Sequence, residues 1–342
     1  MGLTRSDTIL KYIVEYFIKN AQPVGSHTLI DEYHLPYSSA TIRNEMFALE
    51  KMGYIEKTHS SSGRVPSSKG YRYYCEHLRD KTIDEALKNS LQVVLEQKVR
   101  SVEEVIKESC EILSHMTNLV SVVTGSKENI ERLANVQLIQ ISDNTLTAVF
   151  VTDKGYVENK TFIIPTTIKS DEVVKCVKIL NDRLVGTPVN ELVEKIEALK
   201  PVLNDYVISH DIVYQAVLET FIRFAGDRLS LYGRDELFNQ PEFKNDAEKL
   251  EQVFRLLNDK TIFKEVESDV GDKVKLNIGE TNPDVSMVTT KFKIGDGEES
   301  TITLLGPTRM DYDKVLSALE YISEELNKYF DELNKGGNNG DA

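Results

Sequence analysis

The residues with the clearest chemical use lie between positions 39 and 64. Ser39, Thr41, Arg43 and Asn44 stand at the start of a helix-forming stretch. Short polar and cationic side chains at that place are what a helix needs to reach base edges in the major groove of DNA. An arginine bonds guanine through two N–H groups, and an asparagine can do the same for adenine. A solvated helix start with ordinary caps explains the same four residues. The loop His59-Ser60-Ser61-Ser62-Gly63-Arg64 shifts the balance. Its hydroxyls, backbone amides and one permanent positive charge suit phosphate oxygens or a narrow minor groove. A serine-glycine loop alone reads as a spacer, but directly after a capped helix it reads as a nucleic-acid contact.

Other chemistry finds little support in the sequence. His27 and His34 stand seven apart across a turn, His59 is in the loop, and His77, His115 and His210 are isolated, so none shares a metal-ligand spacing with a cysteine or carboxylate. Phosphate-loop and nucleophile-elbow motifs are both lacking. The paired acids Glu103-Glu104 and Glu324-Glu325 fall on amphipathic stretches and read as solvated faces. Cys75, Cys110 and Cys176 form no Cys-x-x-Cys pair and are expected to be reduced, partly buried thiols. The reading is of a non-enzyme with no cofactor and no metal.

Charge is distributed unevenly. The formal net charge is −14 over 342 residues, which at first sight argues against nucleic acid. Residues 1–81 nevertheless carry eleven Lys/Arg against nine Asp/Glu, a net of +2, while the remainder carries 30 against 46, a net of −16. Arg43, Lys51, Lys57, Arg64, Lys69, Arg72 and Arg79 all fall in the second half of that mildly basic segment. The N-terminus lacks a signal peptide's apolar core, and no apolar stretch approaches the ~20 residues of a bilayer helix, so a cytoplasmic protein is expected. Gly2 with Ser6 fits the loose myristoylation pattern, but Ser6 is better read as a helix cap.

The elements that must position these residues follow from periodicity. Ile9, Leu10, Ile13, Val14, Phe17 and Ile18 make one helical stripe, with Ser6 as the expected N-cap. A short helix opens at Gly25-Ser26, with Ser26 as cap. A third, capped by Ser38-Ser39, runs to Met52 with Gly53 beyond it. Ile42, Met46 and Leu49 must face inward, leaving Thr41, Arg43, Asn44 and Lys51 towards solvent. Tyr54 to Lys57 and the run at Val65 read as two short strands, and a helix from Ser67 or Ser68 to Leu78 closes residues 1–80 as a winged helix-turn-helix. Residues 81–116 read as a helical linker. Strands are expected at Leu119–Val123, Val136–Ile141, Thr145–Thr152 and Tyr156–Ile164, and again at Val274–Ile278, Val285–Ile294 and Thr301–Leu305, where Gly295-Asp296-Gly297 makes a turn. Helices are expected from Ser170 to Ala225, Asn245 to Asn258 and Tyr312 to Leu333. Strand-rich pieces flanking a helical block imply one α+β domain with an insertion.

Several motifs together resemble a known family. Ala40-Thr41-Ile42-Arg43-Asn44-Glu45-Met46, Leu49-Glu50, Gly53-Tyr54, His59 to Pro66 and Gly70-Tyr71-Arg72 are similar to the bacterial heat-inducible transcription repressors of the HrcA family. Gln240-Pro241-Glu242-Phe243, Gly306-Pro307-Thr308-Arg309-Met310-Asp311-Tyr312, Pro23-Val24-Gly25-Ser26 and Ile278-Gly279 fit the same family, so the resemblance runs from about residue 3 to about 330. It implies a homodimeric repressor of chaperone operons of the groE and dnaK type that binds an inverted-repeat operator. It also implies that the GroE-type chaperonin keeps the repressor active and that heat stress releases it. The body is then a GAF-like domain over 117–165 and 236–333, with a dimerisation domain inserted over 166–235 and a flexible tail at 334–342. Thr58, Ser62, Ser67 and Thr281 depart from the family's commoner residues, and Thr58 in place of proline removes one source of wing rigidity. A ligand-sensing role for the GAF-like domain is the alternative reading. Arg309 fits either packing or a binding role.

Overall fold

The structure is a computed structural model describing residues 2–58, 63–96, 102–125, 132–153, 155, 157–163, 170–206, 218, 229–244, 246–259, 261–263, 274–294 and 298–337. The chain is α+β, with helices and antiparallel sheets. It divides into two compact units, Met1–Ser126 with Leu229–Ala342, and Lys127–Arg228.

The first unit begins with three helices. Helix α1 (Arg5–Asn20) starts at Thr4, not at Ser6: the Thr4 hydroxyl accepts from the Asp7 N–H, and the Asp7 carboxylate accepts from the Thr4 N–H. This reciprocal capping box satisfies two N–H groups that would otherwise lack partners. Helix α2 (Ser26–Tyr33) takes Gly25 as N-cap, so Ser26 is a buried first-turn residue and not the cap expected. Helix α3 (Ser39–Lys51) is capped by Ser38, whose Oγ accepts from the Thr41 N–H at 3.1 Å. Ile9, Leu10, Ile13 and Val14 of α1 meet Leu29 of α2 and Ile42, Met46 and Leu49 of α3 in one core. Gly53 follows α3 with φ +77°, a left-handed conformation that side-chain-bearing residues rarely adopt.

Two short strands follow, β1 (Ile55–Lys57) and β2 (Arg64–Pro66), paired Ile55 to Pro66, Glu56 to Val65 and Lys57 to Arg64. The hairpin is anchored next to its loop, where Val24 and Arg64 exchange both backbone hydrogen bonds at 2.9 Å. Helix α4 (Ser68–Tyr73), capped by Ser67, runs into one wide π-turn over Tyr74–Leu78.

Helices α5 (Glu85–Leu95) and α6 (Val102–Thr117) occupy the expected linker. They are more than a linker, because Leu87, Leu91, Val94, Val105, Cys110 and Leu113 are buried in the same core as the first three helices. Beyond them stands a five-stranded antiparallel sheet in the order β7 (Leu229–Tyr232), β3 (Val120–Gly125), β10 (Glu298–Pro307), β9 (Val285–Ile294) and β8 (Lys275–Asn282). Alternation puts Ile302, Leu304, Val288 and Phe292 on one face, against Tyr312, Val315, Leu319 and Ile322 of the last helix (Tyr312–Gly337). Val120, Val122, Met287 and Leu305 face the other way, onto Leu237, Phe243, Val253 and Leu257. That last helix extends through Gly337, into the tail expected to be flexible. The expected turn at 295–297 lies outside the described residues.

In the second unit, β4 (Leu133–Ser142), β5 (Thr145–Thr152) and β6 (Val157–Ile163) form a three-stranded antiparallel sheet in that order. These strands belong to the inserted unit, not to the flanking domain in which residues 117–165 were expected. Strand pairing is non-local, so strand-forming pattern alone does not say which sheet a strand joins. One face of this sheet buries Val136, Leu146, Ala148 and Phe150 under Cys176, Leu180 and Leu184 of α7 (Ser170–Leu184) and Leu192 and Ile196 of α8 (Leu192–Tyr206). Asn181 of α7 ties down β4, its side-chain oxygen accepting from the Val136 N–H at 2.9 Å and its amide donating to the Val136 carbonyl at 2.7 Å.

Candidate nucleic-acid interface

The inward stripe Ile42, Met46 and Leu49 fixes which side of α3 faces out. Arg43 and Asn44 are exposed on that side, and Thr41 is half-buried. The four expected residues of α3 are not equivalent. The Thr41 hydroxyl lies 2.9 Å from the Ser38 Oγ and belongs to the cap. The Ser39 hydroxyl lies 2.9 Å from Ser26 Oγ and 3.3 Å from His27 Nε2. Arg43 Nε donates to Ser26 Oγ at 3.3 Å. The chain Arg43–Ser26–Ser39–His27 therefore orients the arginine from α2 while leaving the residue exposed. Pre-organising a long cationic side chain in this way lowers the entropy lost when it binds.

His59, Ser60, Ser61 and Ser62 lie outside the described residues. Gly63 and Arg64 are described, and both face inward. A Cβ on Gly63 would stand 2.7 Å from Pro23 Cβ and 2.9 Å from the Pro23 carbonyl carbon, so only glycine fits. The Arg64 guanidinium turns back to α3, where Nε and Nη2 donate to one Glu50 oxygen at 3.0 and 2.8 Å. Arg64 thus braces β2 against α3, a contact the sequence did not foretell.

Electrostatics single out a few cations. Arg5 pairs with Glu45, Lys11 with Asp80, Lys19 with Glu32, Arg72 with Glu280 and Arg79 with Glu320. The hydrogen bond from Ser6 and the Arg5 guanidinium hold the Glu45 carboxyl below the usual range. Lys69 donates to the Met52 carbonyl at the end of α3. Among the described residues, no carboxylate lies within ion-pair distance of Arg43, Lys51 or Lys57. These three lie on α3 and on the strand entering the loop. Sequence reading passed over one neighbour: Phe47 is 59% exposed on the same side of α3. Its exposure was legible in principle, since it falls off the buried Ile42–Met46–Leu49 stripe.

Among the described residues outside this face, the cysteines, one acidic cluster and the arginines of one cleft are buried or paired. Cys75, Cys110 and Cys176 are buried free thiols, and burial pushes the Cys176 thiol up to about 12 and the other two higher still. Glu15, Asp80 and Asp313 bring carboxylate oxygens within 4.8 Å of one another, but Lys11 Nζ lies 2.8 Å from Asp80 and 3.7 Å from Glu15 and supplies the compensating charge. A cleft of about 910 Å³ opens beside Cys75 and His77, between α4 and the sheet. Arg72 and Arg79, which line it, are spent on Glu280 and Glu320. No helix among the described residues is long and apolar enough to cross a membrane.

Comparison with known proteins places the chain. The profile of the HrcA protein C-terminal domain matches residues 103–316. A heat-inducible transcription repressor HrcA of Halalkalibacterium halodurans is 35% identical over 332 residues, covering 95% of this chain and 96% of that protein. Its counterpart in Oceanobacillus iheyensis is 36% identical over 334 residues, covering 96% and 97%. A crystal structure of a hypothetical protein shares the fold with a TM-score of 0.65 at 24% identity, covering 97% of this chain and 99% of that one. With the identity extending through both the α3 segment and the body, the chain belongs to the HrcA family of heat-inducible transcription repressors.

Proposed function

We propose that this chain represses transcription as a homodimer, each protomer placing α3 in the major groove of one half-site of an inverted-repeat operator ahead of chaperone genes. Residues 1–80 act as a winged helix-turn-helix, with α3 as recognition helix and the β1–β2 hairpin as wing. Arg43 and Asn44 meet base edges, Ser39 and Thr41 hold the start of the helix against the backbone, and His59 to Ser62 meet phosphates or the minor groove. Gly63 lets the hairpin lie against Pro23, and Arg64 shapes the wing from Glu50. The observation that carries this reading is the outward face of α3, where Arg43 is exposed, steered by Ser26 and free of any carboxylate among the described residues.

The five-stranded sheet with its covering helices serves as a GAF-like scaffold, and the inserted unit is the dimerisation domain. The face of its sheet turned away from α7 and α8 supports that role, since Ile139, Val157 and Ile163 are 44%, 50% and 78% exposed there. The GroE-type chaperonin is the protein partner that keeps the repressor active, in the cytoplasm. Footprinting on DNA upstream of chaperone genes, with and without chaperonin, tests the whole scheme. Arg43→Ala is expected to weaken operator binding by about 1–3 kcal/mol and to relax preference at one base pair. Undiminished discrimination in that variant removes Arg43 from the base-reading set. A second reading, a small-molecule sensor, draws on the cleft beside Cys75 and His77; calorimetry with common nucleotides and metabolites that finds no binding counts against it.

A further inference from the structure

Phe47 is out of place by ordinary packing rules. It is 59% exposed in a helix whose other large apolar residues, Ile42, Met46 and Leu49, are 5% exposed or less. It stands four residues after Arg43 and three after Asn44, the spacings at which helical side chains are neighbours. Lys51, one turn further on, holds its ammonium 5.7 Å from the centre of the Phe47 ring. A large apolar ring therefore sits in the middle of a face bracketed by cations with no carboxylate partner among the described residues. Its occupant must be anionic around its rim and apolar at one small point. In the major groove every base presents hydrogen-bonding groups, and the one apolar group at a base edge is the C5 methyl of thymine.

We propose that Phe47 is a specificity-determining residue that packs on a thymine C5 methyl in the operator's major groove. The proposal rests on the reading of α3 as the recognition helix. At 1.5 Å of rise per residue, Phe47 lies about 6 Å along the axis from Arg43, roughly two base-pair steps. The thymine is thus about two base pairs from the base that Arg43 meets, in each half-site. Lys51, beside the ring, is placed to meet the flanking phosphate.

The test uses the full chain and DNA enriched from a random duplex pool by the wild-type protein. Each thymine of the enriched half-sites is replaced in turn by deoxyuridine, which pairs identically but lacks the methyl. For wild type, affinity should fall about fourfold per methyl at one thymine position, the worth of one buried methyl-sized group. Phe47→Ala should bind the thymine and uracil duplexes equally at that position and keep the wild-type response elsewhere. Thermal unfolding of Phe47→Ala should match wild type, because the ring is exposed. If the duplex is bound but no thymine matters, or if Phe47→Ala loses as much on uracil as wild type does, the proposal fails while α3 remains a DNA reader. A ring used instead by a protein partner would give this second result. If wild type enriches no sequence at all, the DNA reading falls and the proposal with it.

Discussion

Removing the Arg309 guanidinium should lower the temperature at which this protein unfolds and releases DNA. Arg309 Nε donates to Glu242 Oε1 at 2.6 Å, and Nη1 donates to the Ile18 carbonyl near the end of α1. That carbonyl is one of the last four of its helix, which lack intrahelical partners and carry the negative end of the helix dipole. Arg309 therefore joins the strand-to-helix turn of the body to the first helix of the N-terminal segment. The Arg309 and Glu242 side chains are 18% and 23% exposed, and Glu242 Oε2 is buried with no hydrogen-bond partner among the described residues. Stripping the partner from a fully buried ion costs about 3–5 kcal/mol. With a fifth of each side chain still in water, about 2–3 kcal/mol is expected for Arg309→Ala. For a unit of this size that lowers the melting midpoint by about 4–12 °C. Differential scanning calorimetry measures the midpoint, and operator retention measured against temperature should fall over the same interval. Adding Glu242→Gln to Arg309→Ala removes the unpaired charge and should recover more than half of the loss. Arg309→Lys should fall between, because a single ammonium cannot reproduce the forked donors. A midpoint for Arg309→Ala unchanged from wild type, or a double variant no better than the single, would refute the reasoning.

Three further outcomes follow from the geometry. Gly63→Ala drives a methyl into Pro23 and should destabilise the N-terminal segment by about 1–3 kcal/mol, read by thermal unfolding. Arg64→Ala should weaken DNA binding by loosening the hairpin while leaving the slope of log K against log salt unchanged, since the guanidinium is occupied by Glu50; a slope shallower by about one would assign Arg64 to a phosphate. Burial pushes the Glu15 carboxyl from its ordinary 4.5 up to about 7, with Lys11 opposing and Asp313 and Asp80 reinforcing the rise. The folded state then binds this proton more tightly than the unfolded one, so wild-type stability relative to Glu15→Gln should decline as pH rises from about 4.5 to 7 and level off above. Chemical denaturation across that range checks it, and a gap that does not widen with pH would contradict it.

The sequence by itself determined the local elements and the outward side of α3. Ile42, Met46 and Leu49 recur at helical spacing, so Arg43 and Asn44 had to point away from them, and runs rich in Val, Ile and Thr marked the strands of both sheets except the four-residue edge strand β7. Those patterns are legible because a helix or strand repeats over a few residues set by backbone geometry alone. Which partner each side chain takes depends on residues far away in the chain, and only the tertiary structure decided that. It gave Arg64 to Glu50, joined Arg309 to Glu242 and Ile18, assigned β4 to β6 to the inserted unit, and drew α5 and α6 into the core. Caps fell between the two: Ser6 was the expected cap of α1, but Thr4 took that place because Asp7 closes a capping box with it, while the Ser6 hydroxyl donates to Glu45 on α3. Phe47 lies between as well: its place off the Ile42–Met46–Leu49 stripe is written in the spacing, but only the packing of the neighbouring elements decides that the ring stays largely in solvent.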